Sequence, residues 1–208
     1  MLKINKQKKE VLNKLNEIEQ KRNAIVLSIS TQNRIVAAKC FENASRANSP
    51  TGSWCEALCL WNGIGREIDR PAAVLTLRKL ADRGDRDAIY KLGKIAFNLS
   101  KSGKNQVPLL TTAVRLIASA AQLGHSTALW RLGLLILQGK VQKNTAFNIL
   151  NNNCNFDFLN ASSEKVAAEL FKRSADGGNC RAASLFSLCL ENGIGVDRNI
   201  ELARSYAS

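Results

Sequence analysis

The chain has 208 residues, 30 of them lysine or arginine against 17 aspartate or glutamate, for a formal charge of +13; 45% of its residues are hydrophobic and 6% aromatic. That apolar content is enough for a substantial core, and three prolines among abundant alanine and leucine favour helix over strand. No apolar run reaches the length of a bilayer span, and the charged opening MLKINKQKKE is not a secretory h-region, so the expected compartment is the cytoplasm; an effector exported without a cleaved signal would look the same.

Residues 1–41 read as one N-terminal helix. Ile4, Val11, Ile18 and Ile25 recur every seven positions, and Leu15 and Ile29 form an interleaved set interrupted by Lys8 and Arg22. Its first 22 residues hold seven lysines and arginines against three glutamates. The later half, from Ile25 to Phe41, is expected to cap the body that follows, and the basic beginning to project or to pair in an oligomer.

From residue 42 onward the chain reads as a repeat domain with an insertion at 144–162. Residues 42–66 form a degenerate copy in which Ser45, Asn48 and Gly52 align with Ala175, Gly178 and Ala182. Ser49 to Gly52 is expected to be a turn, with the next helix beginning at Trp54, and Asn48 is expected to take the left-handed conformation. Asp69 and Pro71 mark the start of a helix over 72–83 that turns Leu77 and Leu80 inward. A partner helix over 87–98 follows, then a polar linker from Ser100 to Pro108, expected to be a mobile loop. The next pair, 110–123 and 126–138, is the most apolar and belongs at the centre. Its exit holds the insertion, asparagine-rich yet carrying Phe147, Ile149, Leu150, Cys154, Phe156, Phe158 and Leu159, which fits a short packed helix or a recognition element better than a disordered loop. The last pair covers 163–176 and 180–191, and a truncated helix starts at Asn199.

One signature orders these elements. Ala81, Gly84, Ala88, Leu92 and Gly93 return as Ala121, Gly124, Ala128, Leu132 and Gly133, and again, degraded, as Ala175, Gly178, Ala182, Phe186 and Ser187. A spacing kept over three copies means one helix-turn-helix unit stacked on itself. The alanines let neighbouring helices approach, the glycines leave the helix at positive φ, and Leu92, Leu132 and Phe186 fill the seam.

This pattern resembles the Sel-one-like repeats, relatives of the tetratricopeptide repeat. The turn elements extend the likeness: Gly63, Ile64, Gly65, Asp69 and Ala73 fit the family's pattern, as do Gly193, Ile194, Gly195, Asn199 and Ala203. The middle copy keeps Gly139 and Val141 but has Lys140 between them and Thr145 in the acidic slot, implying a looser turn. The resemblance implies an all-α solenoid of about three to four stacked antiparallel helix pairs covering residues 45–207. It further implies a non-enzymatic protein-interaction or adaptor module whose first helices line a concave face. On the register above, the exposed candidates are Arg78, Lys79, Arg115, Lys172 and Arg173, expected to meet an acidic surface or segment of a protein partner. A nucleic-acid-binding basic solenoid is the alternative, although no aromatic stacking platform or known nucleic-acid module accompanies the charge. An exported effector engaging a target-cell protein is a third reading.

Catalytic constellations are absent from the sequence pattern. His125, the single histidine, follows a turn glycine and is expected to serve a helix terminus rather than act as a base. No Cys/His spacing suits a metal, and no cofactor is expected. A cysteine-rich secreted branch of the resembled family staples each repeat with a disulfide, and has been linked to penicillin binding. Only Cys180 and Cys189 approach that spacing here, so reduced thiols are expected, with Cys59 and Cys189 in a core column shared with Ile95 and Leu135.

Overall fold

Helices and the turns between them make up the secondary structure of the described residues. The computed structural model describes residues 28–102, 106–146 and 160–207, and the chain divides into two compact units, 1–76 and 77–208. The basic segment 1–22 and the heptad positions up to Ile25 therefore lie outside the described residues, as does most of the insertion, including Cys154.

The first unit holds α1 (28–46), α2 (Pro50–Asn62) and the start of α3 (Arg70–Asp82). Ile29, the one described position of the heptad pattern, is 55% exposed, whereas Ala38 on the same helix is buried. The chain leaves α1 through Asn48 at φ 60°, the left-handed conformation expected of it. The start of α2 differs from expectation. It begins at Pro50 rather than Trp54, because Ser49 Oγ accepts from Gly52 N at 3.1 Å and Pro50 needs no donor in the first turn. Gly52 is thus helical, and it is small because a Cβ there would stand 2.5 Å from Ala44 Cβ on α1. Past Asn62, Gly63 N and Ile64 N both donate to Cys59 O, and Asp69 N donates to Leu60 O, folding the connection back before Asp69 Oδ1 caps α3 through Ala72 N.

The second unit continues α3 and adds α4 (Arg86–Ser102), α5 (Gln106–Gln122), α6 (Ser126–Leu137), a 3-10 turn (Lys143–Ala146), α7 (Ser163–Asp176), α8 (Cys180–Asn192) and α9 (Ile200–Ala207). Leu77 and Leu80 are each 1% exposed, as the pattern of α3 requires. The three signature glycines close the same turn: Gly84, Gly124 and Gly178 have φ of 85°, 77° and 83°, and their N–H groups donate to Ala81, Ala121 and Ala175. The expected loop from Ser100 to Pro108 is corrected. Helix α4 runs on to Ser102, with Ser100 buried and its hydroxyl donating to Phe97 O, and α5 already starts at Gln106. Pro108 sits in the first turn of α5, where a missing N–H costs nothing.

The larger core gathers Phe97, Ile117, Leu132, Leu135, Ile136 and Leu170, centred on the α5–α6 pair as expected. A second cluster joins Phe171, Phe186, Cys189, Leu190 and Ala203. Ser174 Oγ ties α7 to α6 through Ser126 O at 2.7 Å, and Ser187 Oγ ties α8 to α9 through Ala203 O at 2.9 Å. After α6 the middle turn opens like its relatives, Gly139 at φ 64° and Lys140 N donating to Leu135 O, and then departs into the 3-10 turn. Both ends of the insertion are anchored: Ala146 and Ala161 are buried in the larger core, and Lys143 Nζ donates to Ala161 O at 2.6 Å.

Candidate functional site

Four of the five cations singled out from the sequence face solvent. Arg78 and Lys79 lie on α3, Arg115 on α5 and Lys172 on α7, and among the described residues none of the four is joined to another group by an ion pair or hydrogen bond. Arg173 differs. It is half-buried, and its Nε donates to Glu169 Oε1 at 2.9 Å one helical turn back, so its charge is already neutralised within α7.

A denser grouping, not singled out from the sequence, lies on α4, α6 and α8. Arg131 stands over two rings at once, its Cζ 5.0 Å from the centroid of Phe97 and 5.8 Å from that of Trp130. Arg181, from α8, stands 5.6 Å from the same indole, and Lys101 4.8 Å from Phe97. Cation–π contacts of this kind hold a guanidinium without engaging its N–H donors, each contributing about 0.5–1 kcal/mol where exposed. Among the described residues neither Arg131 nor Arg181 meets a carboxylate. Trp130 Nε1 is buried with no hydrogen-bond partner. Burial raises the Tyr90 pKa, opposed by the nearby charges of Arg131 and Arg181, which places the phenol within their field. Burial likewise lowers the Lys91 pKa, assisted by Lys94. The signal available in the sequence was small: Arg131 is the one charged residue of α6, next to its one aromatic.

His125 is a cap. Its Nδ1 accepts from Ala128 N at 3.1 Å, the place taken by Asp85 Oδ1 before α4 and Asn179 Oδ1 before α8, and its Nε2 lies 3.2 Å from Asp87 Oδ1. The ring stacks on Tyr90 at 4.4 Å. Only the neutral tautomer protonated at Nε2 satisfies both partners. Burial pushes the His125 pKa below the ordinary histidine value, with Asp87 opposing that shift. A base whose folded pKa is depressed takes up more protons when unfolded, so its contribution is complete above the ordinary histidine value of about 6.5 and is lost as pH falls from there through the lowered folded value. Chemical denaturation is therefore expected to show stability falling on acidification from neutral pH, and the His125→Asn variant, which keeps a capping oxygen, to lose most of that dependence. An unchanged pH profile in the variant would assign the effect elsewhere.

The five described cysteines are free thiols, Cys59 and Cys189 buried in their helices as expected, with burial raising both pKa values. Among the described residues no three His, Cys, Asp or Glu side chains are placed to hold a metal ion, and no helix is long and apolar enough to cross a membrane. A cleft of about 340 Å³, lined by Ser126, Thr127, Gly178, Asn179, Cys180 and Arg181, opens between the starts of α6 and α8.

The Sel1 repeat family model matches residues 86–125, 126–147, 161–179 and 181–208. The first stretch is α4 with α5, and the last is α8 with α9. The two shorter ones carry α6 and α7, with residues 148–160, inside the expected insertion, between them. In this frame the helix pairs open on α4, α6 and α8, so Arg115 on α5 and Lys172 and Arg173 on α7 fall on the helices that come second, while Arg78 and Lys79 precede the first matched stretch. Among solved structures, a Sel1 repeat protein from Oxalobacter formigenes is similar with a TM-score of 0.64 and 22% identity, over 83% of this chain and 62% of that one. The c5321 protective antigen of uropathogenic Escherichia coli, described as displaying an SLR fold, is similar with a TM-score of 0.48 and 19% identity, over 84% of this chain and 40% of that one. The chain thus spans less than two thirds of the length of either. No curated protein matches it at a significant level.

Proposed function

The chain belongs to the Sel1 repeat family, and from that premise we propose that it is a non-enzymatic interaction module that captures a protein partner through an acidic segment. Sel1 repeat proteins generally mediate protein–protein interaction, and the fold is the all-α helical repeat solenoid of that family. The observation that carries the acidic character of the partner is the recurrence of uncommitted cations: Arg115, Arg131, Lys172 and Arg181, one in each matched stretch, make no ion pair with a described carboxylate. A carboxylate-rich segment pairs with Arg131 and Arg181 through charge-assisted hydrogen bonds, while Arg115 and Lys172, on the neighbouring helices, add only to the surrounding positive field. The family frame favours the first helices α4, α6 and α8 as the contact face, with the cations of α3, α5 and α7 extending the field around it.

Capture from an extract of the native host, with the tagged chain as bait, tests this reading. One preferred protein bearing an acidic stretch is expected, released progressively as salt is raised. Recovery of RNA or DNA in its place, lost when the extract is treated with nuclease, would overturn it.

A further inference from the structure

The grouping on the first helices has an arrangement that uniform basic character does not require. Phe97, Arg131, Trp130 and Arg181 form a strip across α4, α6 and α8, three helices from three different matched stretches, with Tyr90 within the field of both arginines. The rings hold the guanidinium groups in place of counter-ions, which positions them while leaving five N–H donors each uncommitted. A planar fork fixed in this way is pre-organised for a carboxylate, so less entropy is lost on binding than for a free lysine. The cleft between the starts of α6 and α8 has Arg181 in its wall, giving the end of the strip a concavity of about 340 Å³.

The rings also decide the class of partner. Proteins that hold single-stranded nucleic acid combine a basic groove with open aromatic faces on which bases stack. Here Trp130 carries Arg131 and Arg181, and Phe97 carries Arg131 and Lys101 and is only 5% exposed. What the strip offers is guanidinium donors, not ring faces.

We propose that the Arg131–Trp130–Arg181 strip, flanked by Phe97, is the seat of an acidic peptide segment of a partner protein, its carboxylates paired with the two arginines. This rests on the reading of the chain as an interaction module and names where and by what chemistry it binds.

The test uses the full chain, a fluorescein-labelled hexaglutamate peptide read by anisotropy, a hexaglutamine peptide, and a labelled single-stranded oligonucleotide of mixed sequence. Wild type is expected to bind hexaglutamate and not hexaglutamine, and Arg131→Gln with Arg181→Gln to weaken that binding by at least about tenfold. Arg78→Gln with Lys172→Gln, which removes the same charge from α3 and α7, is expected to change it by less than about twofold. Arg181→Gln alone, at an exposed position, is expected to give a partial loss and covers the case in which the double variant does not fold. Equal weakening by the two charge-matched pairs, or no hexaglutamate binding by wild type, would overturn the proposed seat. Tighter binding of the oligonucleotide with the same arginine dependence would overturn the class of partner. If the protein captured from the host is retained by the Arg131→Gln, Arg181→Gln chain, the seat fails while the interaction module stands.

Discussion

Replacing Gly195 by valine is expected to cost at least about 3 kcal/mol, against about 1–2 kcal/mol for the same change at Gly178. Both glycines sit at positive φ, 70° and 83°, which a β-branched residue avoids. Their surroundings differ. At Gly178 an added Cβ meets nothing within 4 Å, so the cost there is the backbone conformation alone. At Gly195 the Cβ would overlap the carbonyl oxygen of Glu164 and stand 2.6 Å from Lys165 N, so the turn after α8 lies directly on the first turn of α7. Lys165 N is the group that donates to Ser162 Oγ, the cap of α7. A side chain at Gly195 must therefore displace backbone and strain that cap as well as adopt a forbidden φ. Urea unfolding followed by circular dichroism measures the difference, and equal losses at the two sites would show that the turn does not rest on α7.

The sequence pattern was informative wherever one residue type answers one local demand. Glycine at 84, 124 and 178, asparagine at 48 and the cap at Asp69 follow from backbone geometry that only a few residues satisfy, and each takes the expected place, while Asn199, expected to begin the last helix, instead caps it through Leu202 N. Misreadings arose where a local preference met a distant neighbour. Pro50, Thr51 and Gly52 have turn composition, yet they open α2, because Gly52 is small to admit Ala44 rather than to bend the chain. Ser100 looked like polar linker, but its hydroxyl folds back onto Phe97 O and lets the helix continue. Arg173 has the position of an outward cation, but Glu169 four residues earlier on the same helix takes up its charge. The strip on α4, α6 and α8 was beyond reach of pattern alone, since Phe97, Trp130 and Arg181 meet only after three helices have packed, and no fixed interval in the chain joins them.

The contact that seats α7 on α6 gives a second large effect with an internal control. Phe171 is fully buried and the largest such side chain among the described residues, and its ring lies where a Cβ on Gly133 would be, 2.7 Å from Cε1 and 3.1 Å from Cδ1. Truncating Phe171→Ala is expected to cost about 3–5 kcal/mol, through lost burial and the cavity left between the two helices. Gly133→Ala alone is expected to cost about 1–3 kcal/mol from overpacking, because the ring is enclosed and has little room to retreat. Gly133 is helical with no positive φ, so its alanine variant carries no backbone strain to confuse the comparison. Combined, the two changes should cost less than the sum of their separate effects, since the new methyl occupies space that the missing ring has vacated and gains helix propensity over glycine. Denaturant titration of the four proteins yields the coupling. Strict additivity would mean that Phe171 and Gly133 do not share this space, and that the Leu132–Gly133 pair recurring from Leu92–Gly93 is small at its second position for some reason other than the approach of the following helix.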